Sequence, residues 1–465
     1  MSVRRRALST SALRLPALAL LGVLLGACAH GGRGGDDRGS GIRFIADDYP
    51  GALARARAEG KPLFVDAWAP WCHSCVSMNS YVFPDAALSP VADRYVWLEV
   101  DTEKPANHAF VDQFPAEALP MLLVIDPRTG QAVRRWMGTA TVVELAARLR
   151  STALAMTPGA PGTPAQAALA RASAAESRGD RDASTRAYRD ALAASEPRSL
   201  DHAQAVEGLV QRLSQDGDPA ACVQLAREEL GHVAPGTALA TLVATGLSCA
   251  LELEEGDPRR TAALGALEDR VSALARDSSV VLLPDDRSSL FETEEGARRA
   301  RGDLAAAHET AARWSAFLEK EAARATTAEE RAVFDGPRLS AYLALGEPER
   351  AIPMLEQSAR DFPADYNPPA RLAVAFLALR YPWHALEQAR RSSTLVYGPR
   401  TLRVLLVRAE AEARVGDSHA ARVTLARAEK LVQELSPAQR TAAMTVAIEA
   451  KRKALFESST ATRLP

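Results

Sequence analysis

The chain reads as an α/β domain followed by an all-α helical-repeat solenoid, and three observations carry that reading. Between 42 and 152, short apolar runs alternate with stretches of helical character, the pattern of a compact α/β domain. From 166 to 457 the composition shifts to Ala, Leu, Arg and Glu, with apolar residues three and four apart and few strand formers. Through that second half a small turn recurs, at Gly179-Asp180, Gly217-Asp218, Gly256-Asp257, Gly302-Asp303, Gly346-Glu347 and Gly416-Asp417, with Arg380-Tyr381 in one vacant slot. The intervals run from 34 to 46 residues, and each turn leads into an Ala-rich amphipathic stretch.

Residues 1–28 form an address rather than part of either fold. Met1 to Arg14 carries Arg4, Arg5, Arg6 and Arg14 with no acid, and Leu15 to Leu25 is apolar but too short to span a bilayer. The run ends in Leu25-Gly26-Ala27-Cys28, which resembles the lipobox of bacterial lipoproteins. That resemblance implies cleavage before Cys28, lipidation of its sulfur and acylation of the new N-terminus; several acyl chains anchor a protein stably where one does not. An ordinary secretory signal with an incidental cysteine is the other reading. Residues 29–41 are a Gly-rich flexible tether. Ala29 after the cysteine implies, by the enteric sorting pattern, delivery to the outer membrane. The expected setting is therefore the periplasmic side of a bacterial envelope, where disulfides persist. A net charge of −2 speaks against a nucleic-acid partner.

Next come the elements of the α/β domain. Asp47 and Asp48 offer caps for a helix over 50–59 that stops at Gly60. Leu63 to Trp68 is a buried strand, and Cys72 opens a helix behind it. After a loop and helix at 84–94, strands follow at 95–100, 121–125 and 132–136. The last two are joined through Asp126-Pro127-Arg128-Thr129-Gly130, whose Asp-Pro and Gly suit a tight turn. A helix over 141–150, capped by Thr141, closes the domain.

Trp71-Cys72-His73-Ser74-Cys75 thus sits where a strand ends and a helix begins. Unpaired amides and the helix dipole favour a thiolate there. One cysteine attacks a disulfide, and the second, one turn on, resolves the mixed intermediate. The run Val65-Asp66-Ala67-Trp68-Ala69-Pro70-Trp71-Cys72 resembles the thioredoxin active site, so residues 42–152 are similar to a thioredoxin-fold domain. Lys61-Pro62 and Val82-Phe83-Pro84-Asp85 look more like the periplasmic C-terminal domain of DsbD-type thiol:disulfide interchange proteins. Those domains lack the proline that kinks the thioredoxin helix, as does this chain, with Ser80 in its place.

The resemblance implies four roles. Cys72 attacks, Cys75 resolves, and Asp66 is the buried acid that exchanges a proton with Cys75. Pro120 follows a cis bond that lets the Leu119 main chain pair with a substrate strand. From the residues alone, Asp66 also reads as a strand-end acid bonded to backbone, and Pro120 as a trans proline opening a strand. Trp97 stands where thioredoxin has a lysine facing the buried acid, and His73-Ser74 replaces Gly-Pro. A cationic His73 would stabilise the Cys72 thiolate and push the pair toward the oxidising side; a solvated, neutral His73 is the other reading. Trp68 and Trp71 flank the site as a flat apolar surface for a partner, with Trp71, Leu119 and His73 at the substrate. Trp97 and Trp136 read as core, and His108 as surface.

Residues 153–165, including Thr157-Pro158-Gly159-Ala160-Pro161-Gly162-Thr163-Pro164, form a Pro/Gly linker. The repeats beyond resemble tetratricopeptide units: Gly179, Tyr188, Ala191 and Pro197 fall near that family's spacing, as do Gly346, Ala351 and Pro363, and Ala385 one step later. The proline- and acid-containing stretch 284–295 reads as an inserted loop, and 458–465 as a tail. Cys222 and Cys249 occupy small-residue positions and read as buried thiols, a disulfide between them being the lesser reading. Stacked helix pairs imply either a surface for a protein partner or a stiff spacer.

Together these features lead to the expectation of a membrane-anchored, extracytoplasmic thiol–disulfide oxidoreductase acting on protein thiols and disulfides, with its helical half docking a partner. It needs no cofactor, since the electrons reside on the sulfur pair. A redox-inactive interaction scaffold is the alternative, opposed by the intact Cys72, Cys75, Asp66 and Pro120. Metal handling by Cys72, Cys75 and His73 is a third reading, opposed by a vicinal His73 that points away from a common centre.

Overall fold

The computed structural model describes residues 39–157, 159 and 162–456; the expected lipobox with Cys28 lies outside the described residues. The first half builds β1 (Phe44–Ala46), α1 (Tyr49–Glu59), β2 (Leu63–Trp68), α2 (His73–Ser77), α3 (Ser89–Ala92), β3 (Val96–Asp101), α4 (His108–Gln113), β4 (Met121–Asp126), β5 (Gln131–Met137) and α5 (Val142–Ala155). The five strands form one mixed sheet in the order β1-β3-β2-β4-β5, with β1, β2 and β3 parallel and β4 antiparallel to both its neighbours. Strand alternation sends Phe64, Trp97, Leu122, Val124 and Trp136 to one face, against α5, and Leu63, Val65, Leu98 and Leu123 to the other, against α1 and α4. Trp97 and Trp136 are thus core residues, while His108 is half-buried at the start of α4.

Local chemistry explains the ends of these elements. Asp48 caps α1 by accepting the Gly51 amide at 2.9 Å, and Gly60 stops it in the left-handed conformation. Asp47 does something else: it accepts the Asp101 amide at 2.9 Å and Lys104 Nζ at 2.6 Å, tying the end of β3 to α1. Thr141 and Glu144 form a reciprocal capping box at α5, an arrangement whose removal costs about 1 kcal/mol. The expected tether is anchored at its end, where Ser40 is buried and its amide donates to Pro84 O at 3.2 Å.

The second half is helical throughout its described residues. Its pairs are α6 (Pro164–Ser177) with α7 (Arg181–Ala193), α8 (Leu200–Gln215) with α9 (Pro219–Glu229), and α10 (Thr237–Glu252) with α11 (Pro258–Arg276). Then come α12 (Pro284–Ala300) with α13 (Leu304–Ala322), a short α14 (Ala328–Ala332), and α15 (Asp335–Leu345) with α16 (Ala351–Asp361). The last are α17 (Asn367–Ala378) with α18 (Pro382–Leu395), α19 (Thr401–Arg414) with α20 (Ser418–Glu434), and α21 (Ala442–Phe456). Every recurrent turn of the sequence falls between the two members of a pair. Asp180, Asp218, Asp303 and Asp417 each cap the helix that follows, accepting an amide three residues on. Arg380 fills the vacant glycine slot in the same left-handed conformation, at φ 61°.

Three expectations are corrected. Residues 284–295 are not a loop but the first two-thirds of α12. Pro284 sits at the helix start, where a missing N–H is harmless, Asp285 and Asp286 complement the dipole, and Leu290 and Phe291 are buried. Cys222 and Cys249 are not thiols but a disulfide with a Cα separation of 6.3 Å, joining α9 to α10. The linker is shorter than 153–165, because α5 runs on to Ala155 and Pro164 already opens α6.

The helical half packs directly on the sheet domain. Arg135 of β5 pairs with Glu176 of α6 at 3.1 Å, and Arg148 of α5 with Glu207 of α8 at 3.0 Å, all four side chains being buried. Leu283 enters the sheet domain's apolar core, and Val76 and Tyr81 pack against the helical core. Breaking either buried ion pair from one side strands a charge, which costs about 3–5 kcal/mol. Among the described residues, no helix is long and apolar enough to cross a membrane.

Candidate redox site

Strand β2 delivers Cys72 to the start of α2. Its backbone is extended, as at a helix cap, and its Sγ accepts the Cys75 amide at 3.1 Å. Cys72 and Cys75 form a disulfide with a Cα separation of 5.2 Å. Cys72 is 5% exposed and Cys75 fully buried, with Trp68, Trp71 and Leu119 packed around them. After Ser77 the chain winds into a π-helical turn over Met78–Val82, so Ser80 lies in a local irregularity where thioredoxin has its kinking proline.

Two further expected residues converge there. The Leu119–Pro120 bond is cis, and Pro120 O accepts the Gly138 amide at 2.8 Å, which secures the turn beside the cysteines. Asp66 is completely buried on β2, four residues before the apolar stretch ends at Pro70, with Glu99 of β3 and Leu122 of β4 as its register neighbours. Trp97 does not face it. That tryptophan pairs with Phe64, packs against it in a tilted arrangement at 4.6 Å between ring centroids, and donates Nε1–H to Ala92 O at 2.8 Å.

What the sequence does not foreshadow is the roof over this site. Trp71 is not an open apolar surface: its Nε1 donates to Glu103 Oε1 at 2.8 Å, and the Arg400 guanidinium lies over its ring at 4.6 Å. Glu103 Oε2 in turn accepts the Arg400 amide at 2.7 Å, and Gly398 presses so close to the Glu103 backbone that no Cβ fits there. Asn367 Nδ2 donates to Pro70 O at 3.2 Å, and Tyr397 donates to Asp101 Oδ2 at 2.6 Å. Burial pushes the Glu103 carboxyl up, and burial, helped by Arg403, pushes the Arg400 guanidinium down to about 10.

His73 fits neither reading in full. Burial disfavours the cation, and α12 covers the ring in part: its Nδ1 lies 3.9 Å from Asp285 Oδ2, with the side chain 30% exposed. Burial lowers the imidazole pKa, Asp285 opposes that shift, and Arg371 adds to it. Asn367, Arg400 and Asp285 were invisible as site residues, since each is an ordinary helix-start residue in its own stretch.

Chemically, the arrangement can serve as a two-electron couple with one sulfur just reachable and one protected. Among the described residues no three His, Cys, Asp or Glu side chains converge to hold a metal ion.

Residues 44–127 match the model of a thioredoxin-like family. Over 82 residues the chain is 38% identical to the thiol:disulfide interchange protein DsbD of Pseudoalteromonas atlantica, a match covering 17% of this chain and 14% of that protein. DsbD of Colwellia psychrerythraea is 28% identical over 103 residues, covering 21% and 17%, and DsbD 1 of Pseudomonas aeruginosa is 33% identical over 105 residues, covering 22% and 18%. The chain therefore spans less than a fifth of the length of these curated relatives. Among solved structures, the TPR2AB-domain:pHSP90-complex of yeast Sti1 covers 64% of this chain and 94% of its own, at 11% identity and a TM-score of 0.22.

Proposed function

We propose that this chain is a thiol–disulfide oxidoreductase of the extracytoplasmic side of a bacterial envelope, held to the outer membrane by lipid on Cys28. The observation that carries the redox part is the Cys72–Cys75 disulfide at a helix start, with Cys72 just reachable and Cys75 sealed. In the reducing direction the Cys72 thiolate attacks a substrate disulfide; a Cys72–substrate bond forms and the other substrate sulfur leaves as a thiolate. Cys75 gives its proton to Asp66 and attacks Cys72 Sγ. The Cys72–Cys75 bond forms, the second substrate sulfur is released, and two electrons have passed to the substrate. The same steps run backward when the partner is a dithiol.

The substrate is a protein thiol or disulfide. Pro120 and the Leu119 main chain shape the groove in which an extended segment lies, with Trp71 and His73 on its rim. The helical half, besides offering its outer surface to a protein partner, narrows the approach through Asn367 and Arg400, which favours an extended segment over a folded surface. The buried Cys222–Cys249 disulfide agrees with an oxidising compartment.

The test is the equilibrium reduction potential of Cys72–Cys75, measured by thiol trapping in glutathione buffers on the full-length chain in detergent. A reversible potential between about −270 and −120 mV supports the reading, the lower end meaning a reductant and the upper an oxidant or isomerase. No reversible disulfide in any buffer overturns it in favour of an interaction scaffold. For the anchor, Cys28→Ser should release the protein from the membrane fraction; retention of that variant overturns the lipid.

A further inference from the structure

The first turn of α12 is aimed at the redox helix from the other half of the chain. Asp285 is completely buried, and its Oδ2 lies 3.9 Å from His73 Nδ1. Burial pushes the Asp285 carboxyl up, while His73 and the nearby hydroxyls of Ser77 and Ser74, short of full hydrogen-bond geometry, pull it back toward the charged form. The residues that this carboxyl touches are therefore the dipeptide between the two cysteines and the next turn of α2. Its neighbour Asp286 turns away, accepting Thr139 Oγ1 at 2.5 Å. From α17, Arg371 acts on the same histidine with the opposite sign.

We propose that Asp285, a residue of the helical half, is a positioning residue for the redox pair: its carboxylate backs His73 and the start of α2, and it sets the balance between disulfide and dithiol at Cys72–Cys75. This rests on the oxidoreductase reading above. The physics is direct. A helix start stabilises the Cys72 thiolate, and a negative charge fixed behind that start in a water-poor site opposes it. A less stable thiolate disfavours the dithiol form and makes the pair a weaker oxidant. Asp285 also faces the Nδ1 side of His73, where it favours the tautomer that carries its proton on that nitrogen and leaves Nε2 as the acceptor. The helical half thereby becomes part of the redox centre, and the sheet domain by itself would have a different potential.

The experiment compares the full-length chain with Asp285→Asn, Asp285→Glu and Asp286→Asn, by thiol trapping in glutathione buffers and by the pH profile of Cys72 alkylation. Asp285→Asn should move the equilibrium toward the dithiol by about tenfold, equivalent to about 30 mV, and let Cys72 alkylate at lower pH. Asp285→Glu keeps the charge and should restore most of the parent value. Asp286 is turned away from the redox helix toward Thr139 Oγ1, and Asp286→Asn should stay within about twofold. Asp285→Ser, smaller and uncharged, supplies the reading where the amide does not fold. The proposal is overturned if the parent chain exchanges reversibly while Asp285→Asn or Asp285→Ser leaves both readouts within twofold, since Asp285 is then structural. A parent chain that forms no reversible disulfide fails the oxidoreductase reading itself, which is a distinct result and takes this proposal with it.

Discussion

Cys72–Cys75 and Cys222–Cys249 are the same bond in two settings. The first closes over a separation of 3 residues at a helix start, the second over 27 residues between neighbouring helices. Cys222 and Cys249 are completely buried among the leucines, valines and alanines of the helical core. Cys72 keeps a sliver of exposure beneath a rim of polar groups, with His73, Asp285, Glu103 and Arg400 within two contacts of it. A disulfide exchanges when a thiolate can reach it and its leaving sulfur is stabilised. The first setting supplies both conditions and the second neither, so the proposed exchange falls on one bond and the other is a staple.

That contrast breaks first at the sulfurs. Cys72→Ser should lower disulfide-exchange turnover by at least about a thousandfold, because no other group replaces the attacking thiolate. The Cys222→Ser, Cys249→Ser double variant should leave turnover within about twofold and instead lower unfolding free energy by about 3.5 kcal/mol, from the chain entropy of its loop. Activity assays and denaturant titrations on the same preparations separate the two. A double variant that loses exchange activity while remaining folded would erase the distinction.

The interface that roofs the reactive bond can be broken next. Glu207→Ala leaves Arg148 buried and unpaired, and should cost about 3–5 kcal/mol in chemical denaturation. A surface-type loss under about 1 kcal/mol would mean that the halves are not held by this pair. A similar test by pH falls on Asp335, whose carboxyl burial raises from 3.8 to about 6, against the pull of Arg371. Because its folded pKa lies above its unfolded one, its contribution is fully present below about pH 4 and is lost as pH rises through about 6. Between those limits the parent should lose about 3 kcal/mol that Asp335→Asn does not lose. The smallest effect belongs to Arg400→Ala, which uncovers the Trp71 ring. It should cost about 1 kcal/mol of stability and raise the alkylation rate of reduced Cys72 by about two- to fivefold.

Legibility followed the range of each signal. Four of the five sheet strands, the caps at Asp48 and Thr141, and all seven helix–helix turns were readable, because their causes lie within a few residues: alternation, an oxygen aimed at an amide, a glycine able to turn; β1, three residues long, was not read. Arg380-Tyr381 was placed by interval alone, and its backbone adopts the glycine-like conformation all the same. The stretch 284–295 misled because a proline followed by two acids reads equally as a loop or as a helix start, and the burial of Leu290 and Phe291 decides between them. The lysine position at Trp97 went astray for a register reason: on β3 it is Glu99, one pleat on, that stands beside Asp66.

The sequence by itself determined that a helix begins at Cys72, and its resemblance to thioredoxin implied the turn at Pro120 and the buried acid at Asp66. The helix start follows from which atoms a short stretch of chain can hide or must bond; the other two rest on a matched motif. Only the tertiary structure decided what environment the redox pair has. Asn367 meets Pro70 across 297 residues, Arg400 covers Trp71, and Asp285 stands behind His73. It also decided that Cys222 and Cys249 are near enough to bond. No local periodicity carries such information, because a helical stack fixes which distant side chains meet only once every pair before it has packed. Burial and charge at the site are properties of that meeting and of no segment alone.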